Sequence, residues 1–317
     1  MNKMVVLRGG AIGDFLLTLP VIAALKQRYP GARIEILGYP HIAALAVAAG
    51  LADQVRSIES PTLAGFFAAD SVLDPIWCHF FSDSDLLVSF LHDPRRILQN
   101  NILRVSHGQF LCGPHRPDES ANIHATNVFL KPLESLGIDD ANPEPQLRIP
   151  VSTEGRLSAG DWIALHPGSG SAQKNWSPER WIQLVKRLLK TTPWRILLMG
   201  GEAESSRLET LCAQFSSQRI TPAINLPLTL LAQMLSQCQL FLGHDSGISH
   251  LAAALGIPGM VLWGPTNANI WRPRSRQFEI ISCETGLCGL SVGHVRDQLF
   301  KKWRAIPQRK APFAPFS

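Results

Sequence analysis

The sequence predicts an α/β protein made of two doubly wound domains, each a parallel sheet flanked by helices. Three observations carry this reading. The 317 residues are about twice the modal length of a single domain. Short apolar runs alternate with segments of helical period, first near the N-terminus and again after residue 160. Between the two series lies a stretch rich in Pro and Gly, with Pro143-Glu144-Pro145 followed by Pro150 to Gly160. The expected units are residues 1–150, residues 151–290, and a final helix and tail over 291–317.

In the first unit, Lys3–Leu7 is an apolar strand and Arg8–Asp14 a glycine-rich turn. Phe15–Tyr29 has helical spacing, is stopped by Tyr29-Pro30-Gly31, and leads into a strand at Arg33–Leu37. A strand, helix and parallel strand in this order imply a right-handed crossover. A helix at Ile42–Ala49 and a strand at Leu86–Phe90 continue the sheet, while 91–125 has no strong period and reads as loops with short helices. In the second unit the strands are Trp162–His166, Arg195–Met199, Leu240–Gly243 and Gly259–Trp263. Helices are expected at Pro178–Lys190, Glu204–Phe215, Leu230–Gln237 and Ile248–Leu255, with a final amphipathic helix at Ser291–Trp303.

Composition narrows the class. Apolar residues make up 45% and charged residues 17%, enough for packed cores and too apolar for a disordered chain. The uncharged stretches Ile36–Ala52 and Ser246–Trp271 are broken by Gly, Pro and polar residues, so neither reads as a membrane span. Arg8 and Asp14 interrupt what would be the apolar region of a signal peptide. Six cysteines with no C-x-x-C pair suggest reduced thiols and a cytoplasmic protein. Residues 1–150 carry 12 Lys/Arg against 15 Asp/Glu, whereas 151–317 carry 18 against 10. The cationic second half suits an anionic ligand, although solvated side chains give the same count. The basic residues are dispersed, which argues against nucleic acid.

Three turns carry the chemistry. Gly9-Gly10-Ala11-Ile12-Gly13-Asp14 opens a helix after a strand, a place where backbone N–H groups and the helix dipole favour anions. Its spacing is not the Gly-x-Gly-x-x-Gly of dinucleotide folds, which disfavours a dehydrogenase. Asp14 would repel a pyrophosphate there, so it is either a helix cap or a general base. The second turn, His166-Pro167-Gly168-Ser169 through Lys174-Asn175-Trp176, is not a Walker loop. It offers small residues, hydroxyls and one lysine to phosphate oxygens, or simply a solvated Lys174. The third, Gly243-His244-Asp245-Ser246-Gly247-Ile248-Ser249-His250, lacks the Gly-x-Ser-x-Gly of a nucleophile elbow. Its two histidines match no common zinc spacing, and no metal site is expected. A strand–turn–helix with Asp, Ser and Gly suits a diphosphate, and His250 fits either a ligand contact or a core position.

Together these turns resemble glycosyltransferase family 9, the bacterial ADP-heptose:lipopolysaccharide heptosyltransferases. The matching segments are Arg8–Asp14 with Leu17-Thr18-Leu19-Pro20, then His166–Ser169 with Lys174, Trp176, Pro178 and Trp181. Leu198-Met199-Gly200-Gly201-Glu202 follows, then Asp245–Gly256 with Pro258 and Gly264-Pro265-Thr266. Residues 55–125 carry little of the resemblance.

The resemblance implies a GT-B architecture: two Rossmann-like domains facing a cleft, with the acceptor on the first and the nucleotide-sugar on the second. It implies an inverting, metal-independent transfer with no cofactor, the donor being a substrate. Asp14 would be the catalytic base, on the turn formed by Gly10 and Gly13. Lys174, aided by Ser169, would meet the donor diphosphate, and Glu202 its nucleoside. Asp245, Ser246, Gly247 and His250 would line the diphosphate and sugar. The last helix would return to the first domain. The implied partners are ADP-heptose and a lipid-linked or core-oligosaccharide acceptor. Arg95, Arg96, Arg104, His107, His115 and Arg116 are the cations available to an acidic acceptor. The alternatives are another GT-B nucleotide-sugar enzyme such as an epimerase, or a nucleotide-binding protein without chemistry. The segment Val295–Lys310 holds six basic residues against one acidic, with Leu299, Phe300 and Trp303 interleaved. It implies at most weak, salt-sensitive attachment to the inner face of an anionic membrane.

Overall fold

The computed structural model describes residues 1–201, 208, 211–215 and 217–306. Glu202 and half of the helix expected at Glu204–Phe215 lie outside the described residues, as does the tail from residue 307.

The first lobe is a five-stranded parallel sheet of order β3-β2-β1-β4-β5. From β1 (Lys3–Arg8), the chain passes through α1 (Ile12–Arg28), β2 (Arg33–Gly38), α2 (Pro40–Ala48) and β3 (Gln54–Ser57) on one side. It then crosses through α3 (Pro75–Ser82) to β4 (Leu86–Ser89), α4 (Ile97–Leu103), β5 (Gln109–Cys112) and α5 (Ala125–Leu130). Central β1 sets Val5 beside Glu35 and Leu87, and Leu7 beside Leu37 and Ser89. Glu35 is buried within this sheet, and Arg33 and Arg56 each reach it at 3.0 Å, supplying the counter-charge that a buried carboxylate needs.

The second lobe is a six-stranded parallel sheet of order β11-β10-β9-β6-β7-β8. β6 (Trp162–Leu165), α6 (Pro178–Thr191), β7 (Arg195–Gly200) and β8 (Ile220–Ile224) build one side. α7 (Leu228–Leu235) crosses to β9 (Leu240–His244), α8 (Gly247–Ala254) and β10 (Gly259–Leu262). α9 (Ala268–Trp271) and β11 (Phe278–Ile281) complete that side. α6 shows why these elements form. The Ser177 hydroxyl caps its start, Pro178 opens it, and Trp181, Leu184, Val185 and Leu188 bury one stripe.

The seven strands read from the sequence are the inner strands of the two sheets. The remaining four, β3, β5, β8 and β11, are all sheet edges. Four of the expected helices begin earlier than the period suggested: α1 at Ile12, α2 at Pro40, α7 at Leu228 and α8 at Gly247.

One expectation is corrected. The last helix, α10 (Val292–Ala305), does not return to the first lobe but lies on the second. Val295 and Leu299 are buried in the second lobe's core, and the Trp303 and Phe300 rings lie 4.4 and 5.4 Å from that of Trp194. The cause is the preceding turn. Trp176 Nε1 donates to the Leu290 carbonyl, and Arg180 Nη1 donates to the carbonyls of Leu287 and Leu290. These bonds pin the chain at the start of α6 and send α10 along it.

The lobes share one apolar core. Leu16, Leu19 and Ile22 of the first lobe belong to the same buried cluster as Ile248, Leu251 and Ala252 of the second. Among the described residues no helix is long and apolar enough to cross a membrane.

Candidate active site

Each sheet reverses its winding once, between β1 and β4 in the first and between β6 and β9 in the second. Doubly wound sheets bind ligands outside the carboxyl ends of their strands at such a reversal. The three turns singled out by sequence follow β1, β6 and β9, so all of them border these two crevices.

The lobes meet where the first turn touches the third. Gly13 lies against His250: a Cβ built there would stand 3.6 Å from the His250 ring. Gly247 is tighter still, since its Cβ would fall 2.7 Å from Ile12 Cβ and 3.0 Å from the Gly13 nitrogen. The N-termini of α1 and α8 thus abut, and at position 247 only glycine fits.

Asp14 occupies the first turn of α1. Its Oδ2 accepts from the Ala11 N–H at 3.0 Å, and its Oδ1 lies 3.6 Å from Arg8 Nη2. Gly10 makes room for the carboxylate: its φ is +94°, and an added Cβ would sit 2.8 Å from Asp14 Oδ2. The capping role that the sequence left open is therefore real. It does not exhaust the group, because the side chain keeps 31% of its surface exposed and a carboxylate offers about four acceptor positions.

The second and third turns are joined by charge. Lys174 Nζ stands 2.7 Å from Asp245 Oδ2, and the Thr266 hydroxyl donates to the same oxygen at 2.5 Å. Ser246 Oγ lies 3.2 Å from His166 Nδ1. Ser169 turns its hydroxyl back to the Ser171 carbonyl at 2.8 Å, so it shapes the loop beside Lys174. His244 is structural: its Nε2 accepts from the Trp176 N–H, and the Trp181 ring meets it edge-on. His250 is buried, faces both Asp14 and Asp245, and makes a hydrogen bond with the backbone of Trp271. Glu202 cannot be placed with the rest, being outside the described residues.

Sequence reasoning did not single out Arg8 or Thr266 as site residues. Their signals were a lone charge ending an apolar strand and a hydroxyl after Gly264-Pro265. It also missed a polar clasp between the lobes. There His124 Nε2 meets the Arg272 carbonyl at 2.9 Å, and Arg274 Nη1 donates to Thr126 Oγ1 and Asn127 Oδ1.

A cavity of about 310 Å³ lies beside the second turn, bounded by Pro167, Gly168, Asn175, Trp176 and Trp181. A larger one, about 840 Å³, sits at the opposite edge of that sheet between Asp161, Pro258 and Lys301. The strand direction excludes the larger cavity from the donor site, because it borders the amino ends of the strands.

Residues 122–292 match glycosyltransferase family 9 (heptosyltransferase). The chain belongs to glycosyltransferase family 9. It is 26% identical over 293 residues to lipopolysaccharide heptosyltransferase 3 of Escherichia coli, covering 84% of each chain. The structure superimposes on E. coli ADP-heptose lipopolysaccharide heptosyltransferase II with a TM-score of 0.76 at 18% identity, over 95% of this chain and 98% of that one. The E. coli heptosyltransferase WaaC with ADP gives 0.74 at 19%, over 95% and 99%. The fold of this family 9 protein is GT-B, two Rossmann-like lobes facing a cleft, and its chemistry is glycosyl transfer. Among the described residues no group of three or more His, Cys, Asp and Glu is placed to hold a metal.

The buried histidines are expected to make the fold of this family 9 protein acid-sensitive. Burial pushes His124 and His250 down to about 4 and His244 to about 3. An unfolded histidine titrates near pH 6.5. The folded values lie lower, so the stabilisation is complete above about pH 6.5 and is lost as pH falls toward 4, where only the unfolded chain binds the protons. The melting temperature is expected to hold steady between about pH 7 and 8 and to drop below about 6.5. A melting curve unchanged down to pH 5 would show these rings to be open to solvent.

Proposed function

We propose that this enzyme transfers a heptose from ADP-heptose to a lipopolysaccharide-core or related glycan, with inversion and without a metal. The observation that carries it is the direct apposition of the Asp14 turn and the Asp245–His250 turn across the Gly13–Gly247 contact. That arrangement puts one carboxylate opposite a helix N-terminus and Lys174. Inversion requires a base on one face of the sugar carbon and a departing diphosphate on the other. Asp14 takes the proton of the acceptor hydroxyl. Charge growing on the diphosphate is met by Lys174 and by the N–H groups opening α8. The E. coli relatives whose names specify heptose and ADP support the choice of donor.

The test is ADP release from ADP-heptose in the presence of EDTA, with and without a core-oligosaccharide acceptor. Release that needs acceptor and survives EDTA is expected. Strict dependence on added Mg²⁺ or Mn²⁺ would rule out the metal-free mechanism. A change in the sugar with no acceptor present would favour the epimerase reading.

We also propose that the protein works at the cytoplasmic face of the membrane and is held there by charge alone. Leu299 is buried, and Phe300 and Trp303 pack on Trp194, so these side chains are committed to the lobe. Vesicles containing anionic lipid should co-sediment the protein weakly at low salt and lose it at high salt. Retention at high salt would mean apolar insertion instead.

A further inference from the structure

Arg8 ends β1 with its side chain almost wholly buried, at 2% exposure. Its partners come from three separate loops. Nε and Nη2 donate to the Asp14 carbonyl at 3.3 and 3.1 Å, and Nη1 donates to the carbonyls of Phe90 and His115 at 3.3 and 3.0 Å. The guanidinium carbon lies 4.7 Å from the centre of the Phe129 ring. Among the described residues the only carboxylate within 4 Å is Asp14, at 3.6 Å.

The three loops follow β1, β4 and β5, which are neighbours in the first sheet. They therefore form the carboxyl edge that faces the donor lobe. Burying a guanidinium is strongly unfavourable unless its donors are met, and a core of this kind would more simply be built with an apolar side chain. Burial lowers the Arg8 pKa only to about 10, so the group stays charged at neutral pH. A guanidinium spreads five donors over three nitrogens in one fixed plane, so it can hold well-separated carbonyls in one geometry, whereas the three donors of an ammonium diverge from a single rotatable nitrogen.

We infer that Arg8 is a positioning residue for the transfer step: its guanidinium fixes the Asp14 turn against the Phe90 and His115 loops, which border the acceptor side of the cleft. This rests on Asp14 being the base. Displacing a catalytic group by about 1 Å costs on the order of 10²-fold in rate. Among the described residues the hydrogen-bond, ion-pair and ring partners of Arg8 all belong to the first lobe, so nucleotide affinity should not depend on it.

The test is a cycle of Arg8→Lys, Arg8→Met, Asp14→Asn and the paired variants, reading kcat, the ADP dissociation constant and melting temperature. Arg8→Lys keeps the buried charge and guards against Arg8→Met failing to fold. Both Arg8 variants are expected to lower kcat about 10- to 100-fold with ADP affinity within about twofold. In the Asp14→Asn background the same changes should lower kcat less than about threefold, because the base they position is already gone. Equal losses in both backgrounds would overturn the inference and leave Asp14 as the base. Wild-type kcat in Arg8→Lys would overturn it as well. Near-normal kcat in Asp14→Asn alone would remove the base assignment itself, and the positioning role with it.

Discussion

Asp14→Asn will lower kcat by about 10²–10⁴-fold, the usual loss when a general base is removed, and will leave ADP affinity nearly unchanged. Asparagine keeps the shape and can still accept the Ala11 N–H through its amide oxygen, so α1 should start where it does now. What it loses is the capacity to take a proton. The split between rate and affinity is decisive because a cap and a base respond to the substitution differently. If it were only a cap, the substitution would shift stability by about 1 kcal/mol at most and leave kcat intact. Steady-state kinetics beside calorimetry with ADP separates these outcomes. A variant that keeps more than about half the wild-type kcat would reduce Asp14 to a cap.

Lys174→Ala is expected to weaken ADP binding about 10- to 100-fold, the equivalent of a charge-assisted contact worth about 1.5–3 kcal/mol. The Asp245 contact sharpens this expectation. Lys174 Nζ stands 2.7 Å from Asp245 Oδ2, so the lysine neutralises a carboxylate at the proposed diphosphate seat. Removing it deletes a cation and also leaves the buried Asp245, which still accepts from Thr266, facing an anion. The double variant Lys174→Ala/Asp245→Asn should therefore bind ADP better than Lys174→Ala alone. An unchanged dissociation constant in the single variant would place the phosphates elsewhere.

Much of this architecture was legible in local signals. The inner strands are continuous apolar runs because both faces of a parallel sheet are covered by helices. Gln54–Ser57 and Gln109–Cys112 escaped notice because they are sheet edges, contain no fully buried residue, and so show neither an apolar run nor a clean alternation. The candidate site residues are marked in the sequence by the turns that hold them. Asp14, Lys174, Asp245 and His250 all stand at strand–turn–helix junctions, which small residues mark in the sequence.

The sequence by itself thus determined the two doubly wound sheets, the division of charge between the halves, and the three turns that carry the candidate chemistry. These are short-range properties, set by backbone preference and hydrophobic period within about a dozen residues. The tertiary structure decided which turns meet. Lys174 and Asp245 are 71 positions apart, and Arg8 and His115 are 107. No local period records such a pairing, because it depends on the order in which strands join a sheet and on how two sheets face each other. The same reason explains the last helix. Its amphipathic stripe announced a helix that must bury one face, while the bonds from Trp176 and Arg180 to the preceding turn selected the lobe that receives it.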